Sequence, residues 1–251
     1  MKEYQKIIPR ARIGYIIPSS NRMVEVHMQR YMPEGVMAHY TRIRMTNQHE
    51  APLDQLIPRI CDAAEMLAES LCNPIVLQCT GTSMSGGLDM EKVVMSAIEK
   101  ATGSKAISAA SSVNAALQAL NAKKLVFISE SPQAGHDKKH RFLVEAGYDL
   151  LKSKAVGLSG TNEYCIMPPE LWYDTALEQR DDDADVYFLS CANIHATDTI
   201  EALEKGLKKP VVTSNQAAIW YALRTAGIND NVPALGHLMT LQPATQAAAA
   251  E

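Results

Sequence analysis

Asn73-Pro-Ile-Val-Leu-Gln-Cys79-Thr-Gly-Thr-Ser83 has a counterpart in Asp185-Val-Tyr-Phe-Leu-Ser-Cys191-Ala-Asn193. Each holds a short, unbroken apolar run, the pattern of a strand buried on both faces of a parallel sheet. Each run closes on a cysteine followed by small or polar residues. Ligands of open α/β sheets sit beyond the carboxyl ends of the strands, so both thiols fall where chemistry is expected. The two cysteines are 112 residues apart, and the elements around them recur at nearly that interval.

Before Cys79, Ala11 to Ile17 reads as a first buried strand running into Pro18-Ser-Ser-Asn21, with Ser20 or Asn21 as helix cap. A helix to about Tyr31 and a strand over Val36 to Met45 follow. Thr46 to Ala51 is a polar loop containing His49. Leu56, Ile60, Ala63, Ala64 and Leu67 give a helical period to Leu53 through Ser70. Thr80 to Gly87 is expected to be a flexible, donor-rich loop. Asp89 to Thr102 is expected to be a helix stopped at Gly103, with a strand over Ser104 to Ala109 and a helix over Ser111 to Leu120.

The pattern then restarts. Lys124 to Ser129 is a strand, Gly135 to Ala146 a helix, Tyr148 to Val156 an extended segment, and Pro168-Pro169-Glu170 the opening of another helix. After the Cys191 strand come a helix over Thr197 to Leu207, a strand over Lys209 to Ser214 and a helix over Gln216 to Ala226. Tyr15-Ile-Ile-Pro-Ser-Ser20 lies over Val126 to Ser131 at an offset of 111, and the Lys105 block lies over the Lys209 block at 104. The order of elements predicts two similar α/β lobes. The first spans 1–116, with 218–251 packing back on it, and the second spans 117–217. Related by a pseudo-twofold axis, the lobes would set Cys79 and Cys191 face to face across a shared cleft. The tail from Thr245 to Glu251 is expected to fray.

Bulk properties restrict the function classes. The chain has 251 residues, 47% apolar and 21% charged, enough for a substantial core. A net charge of −4 without a Lys/Arg cluster argues against a nucleic-acid or anionic-membrane surface. The first residues lack the apolar core of a signal peptide, and no apolar run approaches the ~18 residues of a membrane span. The expected compartment is the cytoplasm. Five cysteines without CxxC or zinc-type spacing are expected as free thiols, Cys61 and Cys72 as small buried hydrophobes. Asp181-Asp-Asp183 reads as a solvated turn, because adjacent carboxylates point apart and no metal-loop spacing surrounds them. Neither metal nor organic cofactor is expected.

A thiolate is a nucleophile and a base, and a thiol is an acid, once the ordinary pKa of ~8.5 is drawn toward neutrality. A pair on opposite sides of one carbon lets one group attack or abstract while the other delivers a proton. That suits racemisation, cis–trans isomerisation through a covalent adduct, or decarboxylation with stereospecific protonation. Uncharged donors recur at the strand ends, namely Ser19, Ser20 and Asn21, then Thr80, Thr82 and Ser83, then Asn193, Ser214 and Asn215. Such groups bind a carboxylate or steady an enediolate without protonating it. Gly81 and Ala192 lie in the same two turns.

Ile16 to Asn21, the Cys79-Thr80 turn, and Leu189-Ser-Cys191-Ala-Asn193 followed by Lys209 to Ala217 resemble the aspartate/glutamate racemase superfamily. Within it, the nearest branch is that of maleate cis–trans isomerase and arylmalonate decarboxylase, over nearly the whole chain from about Arg12 to Leu241. The resemblance implies two Rossmann-like lobes with parallel sheets and the active site between them, a small carboxylate substrate, and a homo-oligomer. It implies Cys79 as the nucleophile that adds to a double bond and Cys191 as the opposing acid/base. Asn21 and Asn162 match the carboxylate-binding asparagines. In the decarboxylase branch a glycine replaces the first cysteine, and Gly81-Thr82-Ser83 mimics that turn. One departure stands out: where both branches carry Thr-Pro-Tyr, this chain has Ser129-Glu130-Ser131. Serine reaches less far than tyrosine, and Glu130 is expected to repel a second carboxylate. The alternatives are a decarboxylase with Cys191 as proton donor, an amino-acid or hydantoin racemase, and a carboxylate-binding protein without activity. His195 is expected as a helix-entry residue, and Tyr164, Cys165 and Met167 either line the cleft or pack beneath it.

Overall fold

A computed structural model describes residues 8–45 and 51–244. His49 with its neighbours 46–50, the first seven residues and the tail from Thr245 lie outside the described residues. The first lobe runs β1 (Ala11–Pro18), α1 (Val24–Tyr31), β2 (Val36–Ile43), α2 (Leu53–Glu69), β3 (Ile75–Leu77), α3 (Thr80–Ser85), α4 (Gly87–Thr102), β4 (Ala106–Ser108) and α5 (Ala109–Ala119). The second runs β5 (Lys124–Ser129), α6 (Gln133–Glu145), β6 (Asp149–Ala155), α7 (Thr161–Tyr164), α8 (Pro169–Glu178), β7 (Val186–Ser190), a 3₁₀ turn (His195–Thr199), α9 (Ile200–Leu207), β8 (Val211–Thr213) and α10 (Ser214–Thr225). The sheets have the orders β2-β1-β3-β4 and β6-β5-β7-β8, and every pairing is parallel. No helix among the described residues is long and apolar enough to cross a membrane.

The central strands explain the continuous apolar runs. Ile13, Tyr15 and Ile17 of β1 face the core that extends through both lobes. Ile16 faces a separate cluster beneath α2 and α4. A strand covered on both faces has no polar side to alternate with. The five α2 residues with helical spacing are its buried ones. Asp181 is the head of a turn, its carboxylate accepting from the Asp183 N–H at 3.1 Å.

The lobes repeat in detail. Strands β1 and β5 end at Pro18 and Ser129, an offset of 111. Helices α5 and α10 both open on a capping box, Ser108 with Ser111 and Thr213 with Gln216. These caps are 105 residues apart, one more than the sequence register of 104. Identity is too thin there to set a one-residue register, whereas the cap geometry does. The two helices pack against each other between the lobes.

Two expectations are corrected. Thr80 to Ser85 is a helical turn, not a flexible loop, with the Ser83 N–H on the Cys79 carbonyl at 3.0 Å and Thr80, Thr82, Ser83 and Met84 buried. Burial of Met84 holds a turn that composition alone reads as loose. The segment after α10, expected on the first lobe, returns largely to the second. Gln216 donates to the Leu235 carbonyl at 2.7 Å and the Glu204 carboxylate accepts from the His237 N–H at 2.9 Å. Arg10–Asp230 at 2.6 Å ties the same segment to the first lobe.

The paired caps yield a test. Ser108→Ala and Thr213→Ala should each destabilise the fold by about 1 kcal/mol in urea unfolding. Each lies at its own helix start, so the double variant should show the sum of the two losses.

Candidate active site

The strand ends of both lobes meet around a cleft of about 210 Å³. Cys79 enters it from the residue before α3, and Cys191 enters it from the end of β7. Of the residues expected there, Asn21, Thr80, Gly81, Ser131, Ala192 and Asn193 line the same cleft. Two do not. Ser19 is exposed beside Ile43, and its neighbour Ser20 lines the cleft instead. Asn162 is exposed and accepts from Arg22 at 2.7 Å, whereas Thr161 and Tyr164 of the same turn face the cleft. A four-residue helix turns its side chains in different directions, which the motif alone does not resolve.

Asn21 holds the lobes together. Its side-chain oxygen accepts from the N–H groups of Met23 and Val24 at 3.0 and 2.9 Å, anchoring the start of α1. Its amide donates to the carbonyl of Ala192 at 3.0 Å. In return, Asn193 accepts from the Arg22 N–H at 2.8 Å. Asn215 also donates to the Ala192 carbonyl, at 3.1 Å, and accepts from Gln78 at 2.8 Å. Gln78 immediately precedes Cys79, so both reactive positions are tied to one network of buried amides.

Around Cys79, the Thr82 hydroxyl is 3.2 Å from the sulfur. The Thr80 hydroxyl is buried in the cleft wall with no protein partner. A buried polar atom in that state is a candidate to bind a ligand. Cys191 has a backbone φ of 112°, a left-handed value that is strained for a side-chain-bearing residue. Its N–H donates to Ser214 Oγ at 3.1 Å, and its sulfur accepts from the Asn193 N–H at 3.3 Å. Burial first, and the neighbouring Glu130 carboxylate second, push the Cys191 thiol well up, against Lys139 and the Asn193 N–H. Cys191 therefore holds its proton more firmly than an ordinary thiol does. Burial likewise pushes Cys72 up to about 11, which fits a packed thiol, whereas Cys61, expected to be buried, is only partly so, its thiol raised by that partial burial and then by Glu65 and Asp62.

The expected repulsion by Glu130 is corrected by a residue that was not singled out from sequence. Lys139 Nζ lies 2.6 and 2.7 Å from the two Glu130 carboxylate oxygens and 3.0 Å from Ser131 Oγ. Both charged side chains are 6% exposed. The acid is neutralised in place. The signal was present in α6, where His136, Lys139, Phe142 and Leu143 share the buried face. A lysine at a core position of the helical period needs a partner. Helix α6 comes this close because Gly135 has no side chain; a Cβ there would stand 2.9 Å from Ser131 Cβ.

Behind the cleft, His27, His195 and Asp198 cluster. The Ala192 carbonyl fixes the Asn215 amide, so its N–H faces His27 Nδ1 at 2.7 Å, and His27 Nε2 lies 3.5 Å from an Asp198 oxygen without closing a hydrogen bond. His195 opens the 3₁₀ turn, as expected of a helix-entry residue, and bridges Asp198 at 3.2 Å and the Cys165 carbonyl at 3.1 Å.

Paired parallel lobes, a cleft at their strand ends and a thiol from each side define a two-lobed α/β protein of cysteine-pair type. The chain belongs to the arylmalonate decarboxylase family, whose model matches residues 13–239. It is 23% identical to arylmalonate decarboxylase of Bordetella bronchiseptica over 86% of this chain and 90% of the relative. It is 24% identical to maleate isomerase of Nocardia farcinica over 94% of this chain and 98% of the relative. In fold it resembles a structure of the Nocardia farcinica maleate cis–trans isomerase mutant with a covalently bound succinylcysteine intermediate. That likeness has a TM-score of 0.83 at 20% identity, covering 92% of this chain and 98% of the other.

The Asp198 network predicts a pH dependence. Burial opposes the charge, but the facing His27 imidazole and the hydrogen bonds from His195 and Tyr31 outweigh it and hold the carboxyl well below its usual range. A depressed carboxyl stabilises the fold fully above its unfolded pKa of ~3.9 and loses that contribution as pH falls through the folded value. Asp198→Asn should therefore lose about 2–3 kcal/mol at neutral pH. In urea unfolding, the gap to wild type should narrow on acidification below pH ~4.

Proposed function

We propose that this protein is a cofactor-independent isomerase that moves a small unsaturated dicarboxylate between cis and trans forms, as maleate isomerase does. The observation that carries this reading is the presence of one thiol from each lobe in a single small cleft. A volume of about 210 Å³ suits a small acid. The Cys79 thiolate adds to one alkene carbon, forming a C–S bond, and the π electrons move to the neighbouring carbon. That carbon takes the proton of Cys191, leaving a thiolate. The former double bond is now single and rotates. Cys191 then recovers the proton, the double bond re-forms, and Cys79 leaves as thiolate. No electrons enter or leave, and both cysteines end as they began.

The substrate's carboxylates have donors to meet. Thr80 offers its unpartnered hydroxyl. Ser131 accepts from Lys139, so its own hydrogen is free to point into the cleft. Asn21 uses one amide hydrogen on Ala192 and has a second. When Cys79 ionises, the Thr82 hydroxyl can reverse its role and donate to the sulfur.

A second reading is favoured by the protonated state of Cys191 together with Gly81 in the cleft wall. In a decarboxylase of the arylmalonate kind, a C–C bond breaks, carbon dioxide leaves, and the Cys191 thiol protonates the resulting carbanion. The thiolate is then reprotonated by water.

Proton NMR with maleate in D₂O at neutral pH distinguishes them. The expected result is fumarate, abolished in Cys79→Ser and in Cys191→Ser. Unchanged maleate would remove it as substrate. Substituted malonates would then be tried, where deuterium at the α-carbon marks decarboxylation.

A further inference from the structure

The peptide joining Ala192 to Asn193 has both of its polar ends engaged. Its oxygen accepts from Asn21 at 3.0 Å and from Asn215 at 3.1 Å, and its N–H, that of Asn193, donates to the Cys191 sulfur at 3.3 Å. A peptide group is planar, so the amides that hold the oxygen also set where the N–H points. Donors on the oxygen polarise the group and strengthen its N–H, since linked hydrogen bonds reinforce one another.

The surrounding carbonyls decide the orientation of Asn215. Gln78 donates from its amide nitrogen to the Ser214 carbonyl at 3.1 Å and to Asn215 Oδ1 at 2.8 Å. Asn215 Nδ2 then has the Ala192 carbonyl for one hydrogen and His27 Nδ1, at 2.7 Å, for the other. An N–H is met there only by a ring nitrogen that carries no hydrogen. His27, Gln78 and Asn215 are all fully buried. His27 belongs to α1 of the first lobe, whereas Asn215, and Asp198 at 3.5 Å from His27 Nε2, belong to the second. A first-lobe imidazole is thus set between two second-lobe groups directly behind the reactive peptide.

We propose that His27 and Asn215 are positioning residues for Cys191, acting through the Ala192–Asn193 peptide. His27 fixes the Asn215 amide, Asn215 fixes the carbonyl, and the N–H of the same peptide is held on the sulfur. There it stabilises the thiolate that forms once Cys191 has given up its proton, because hydrogen bonds to a charged acceptor are the stronger kind. This rests on Cys191 acting as the acid/base thiol. Asn21 shares the Ala192 oxygen, so loss of the His27 contact weakens the arrangement without abolishing it. The titratable groups that line the cleft with Cys191 are Glu130, Lys139, Tyr164, Cys79 and Lys138. Those facing His27 are Asp198 and Tyr31, with His195 and Arg30 on the same carboxylate.

The test reads Cys191 directly, without turnover. In a Cys79→Ser background, alkylation of Cys191 by iodoacetamide at fixed pH is followed by mass spectrometry of its peptide. His27→Leu removes the acceptor for the Asn215 hydrogen, and His27→Asn returns one at the place of Nδ1. A thermal melt verifies the folding of each. His27→Leu should label about threefold more slowly than its parent, and His27→Asn should recover most of that rate. A rise of about one pH unit cuts the thiolate about tenfold, and the greater reactivity of the more basic thiolate offsets part of it. A merely structural loss would open the cleft to the reagent and speed labelling. Faster or unchanged labelling in folded His27→Leu therefore overturns the proposal. The unsubstituted protein gives a second reading that does not depend on a variant's folding. Long-range proton–nitrogen NMR spectra of histidine-labelled protein should show the His27 hydrogen on Nε2 and none on Nδ1, and a hydrogen on Nδ1 overturns the proposal. In the Cys79-containing protein, His27→Leu should lower kcat for maleate with KM unchanged, since His27 does not line the cleft. If labelling slows as stated but Cys191→Ser keeps full turnover, the acid/base reading of Cys191 fails while its coupling to His27 stands.

Discussion

The carbonyl of Ala192 is the point on which the site depends. It receives one amide hydrogen from Asn21 of the first lobe and another from Asn215 of the second. A backbone oxygen with two donors is satisfied and immobile, and it belongs to the residue directly after Cys191. Asn215 in turn receives Gln78, the residue directly before Cys79. The two thiols are therefore positioned by one set of buried amides instead of by two independent loops. Buried amide networks of this kind lose much of their worth when any one member is left unpaired, so the cleft geometry and the lobe interface stand or fall together.

The two halves of the cleft are chemically unlike although the fold is repeated. On the β3 side, Cys79 sits among neutral hydroxyls at the start of a helical turn. On the β7 side, Cys191 occupies a strained backbone position next to a buried ion pair. The strain costs about 1–3 kcal/mol and is held by the Ser214 hydroxyl on its N–H. One thiol is placed where a developing negative charge meets donors, and the other where negative charge is discouraged. That asymmetry makes the two thiols chemically unlike although the strand ends that carry them are repeated.

Much of the fold was legible because it is written in short-range pattern. Unbroken apolar runs mark strands buried on both faces, as in β1, β5 and β7, and helical spacing marked the buried face of α2. Both cysteines, Thr80, Ser131 and Asn193 line the cleft one to three residues past a strand. Nearness to a strand end does not fix where a turn residue's side chain points. Ser19 turned outward, Asn162 paired with Arg22, and the turn after Cys79 coiled into a helix.

The sequence by itself determined the paired parallel lobes and the location of both thiols, since periodicity and strand ends are properties of consecutive residues. Only the tertiary structure decided that Lys139 neutralises Glu130, that Asn21 joins Ala192, and that the segment after α10 returns to α9. Asn21 and Ala192 are 171 residues apart, and even the nine residues from Glu130 to Lys139 cross from a strand end to a helix. Which side chains meet across such junctions depends on how closely the elements approach, and at α6 that distance is set by the missing Cβ of Gly135 against Ser131.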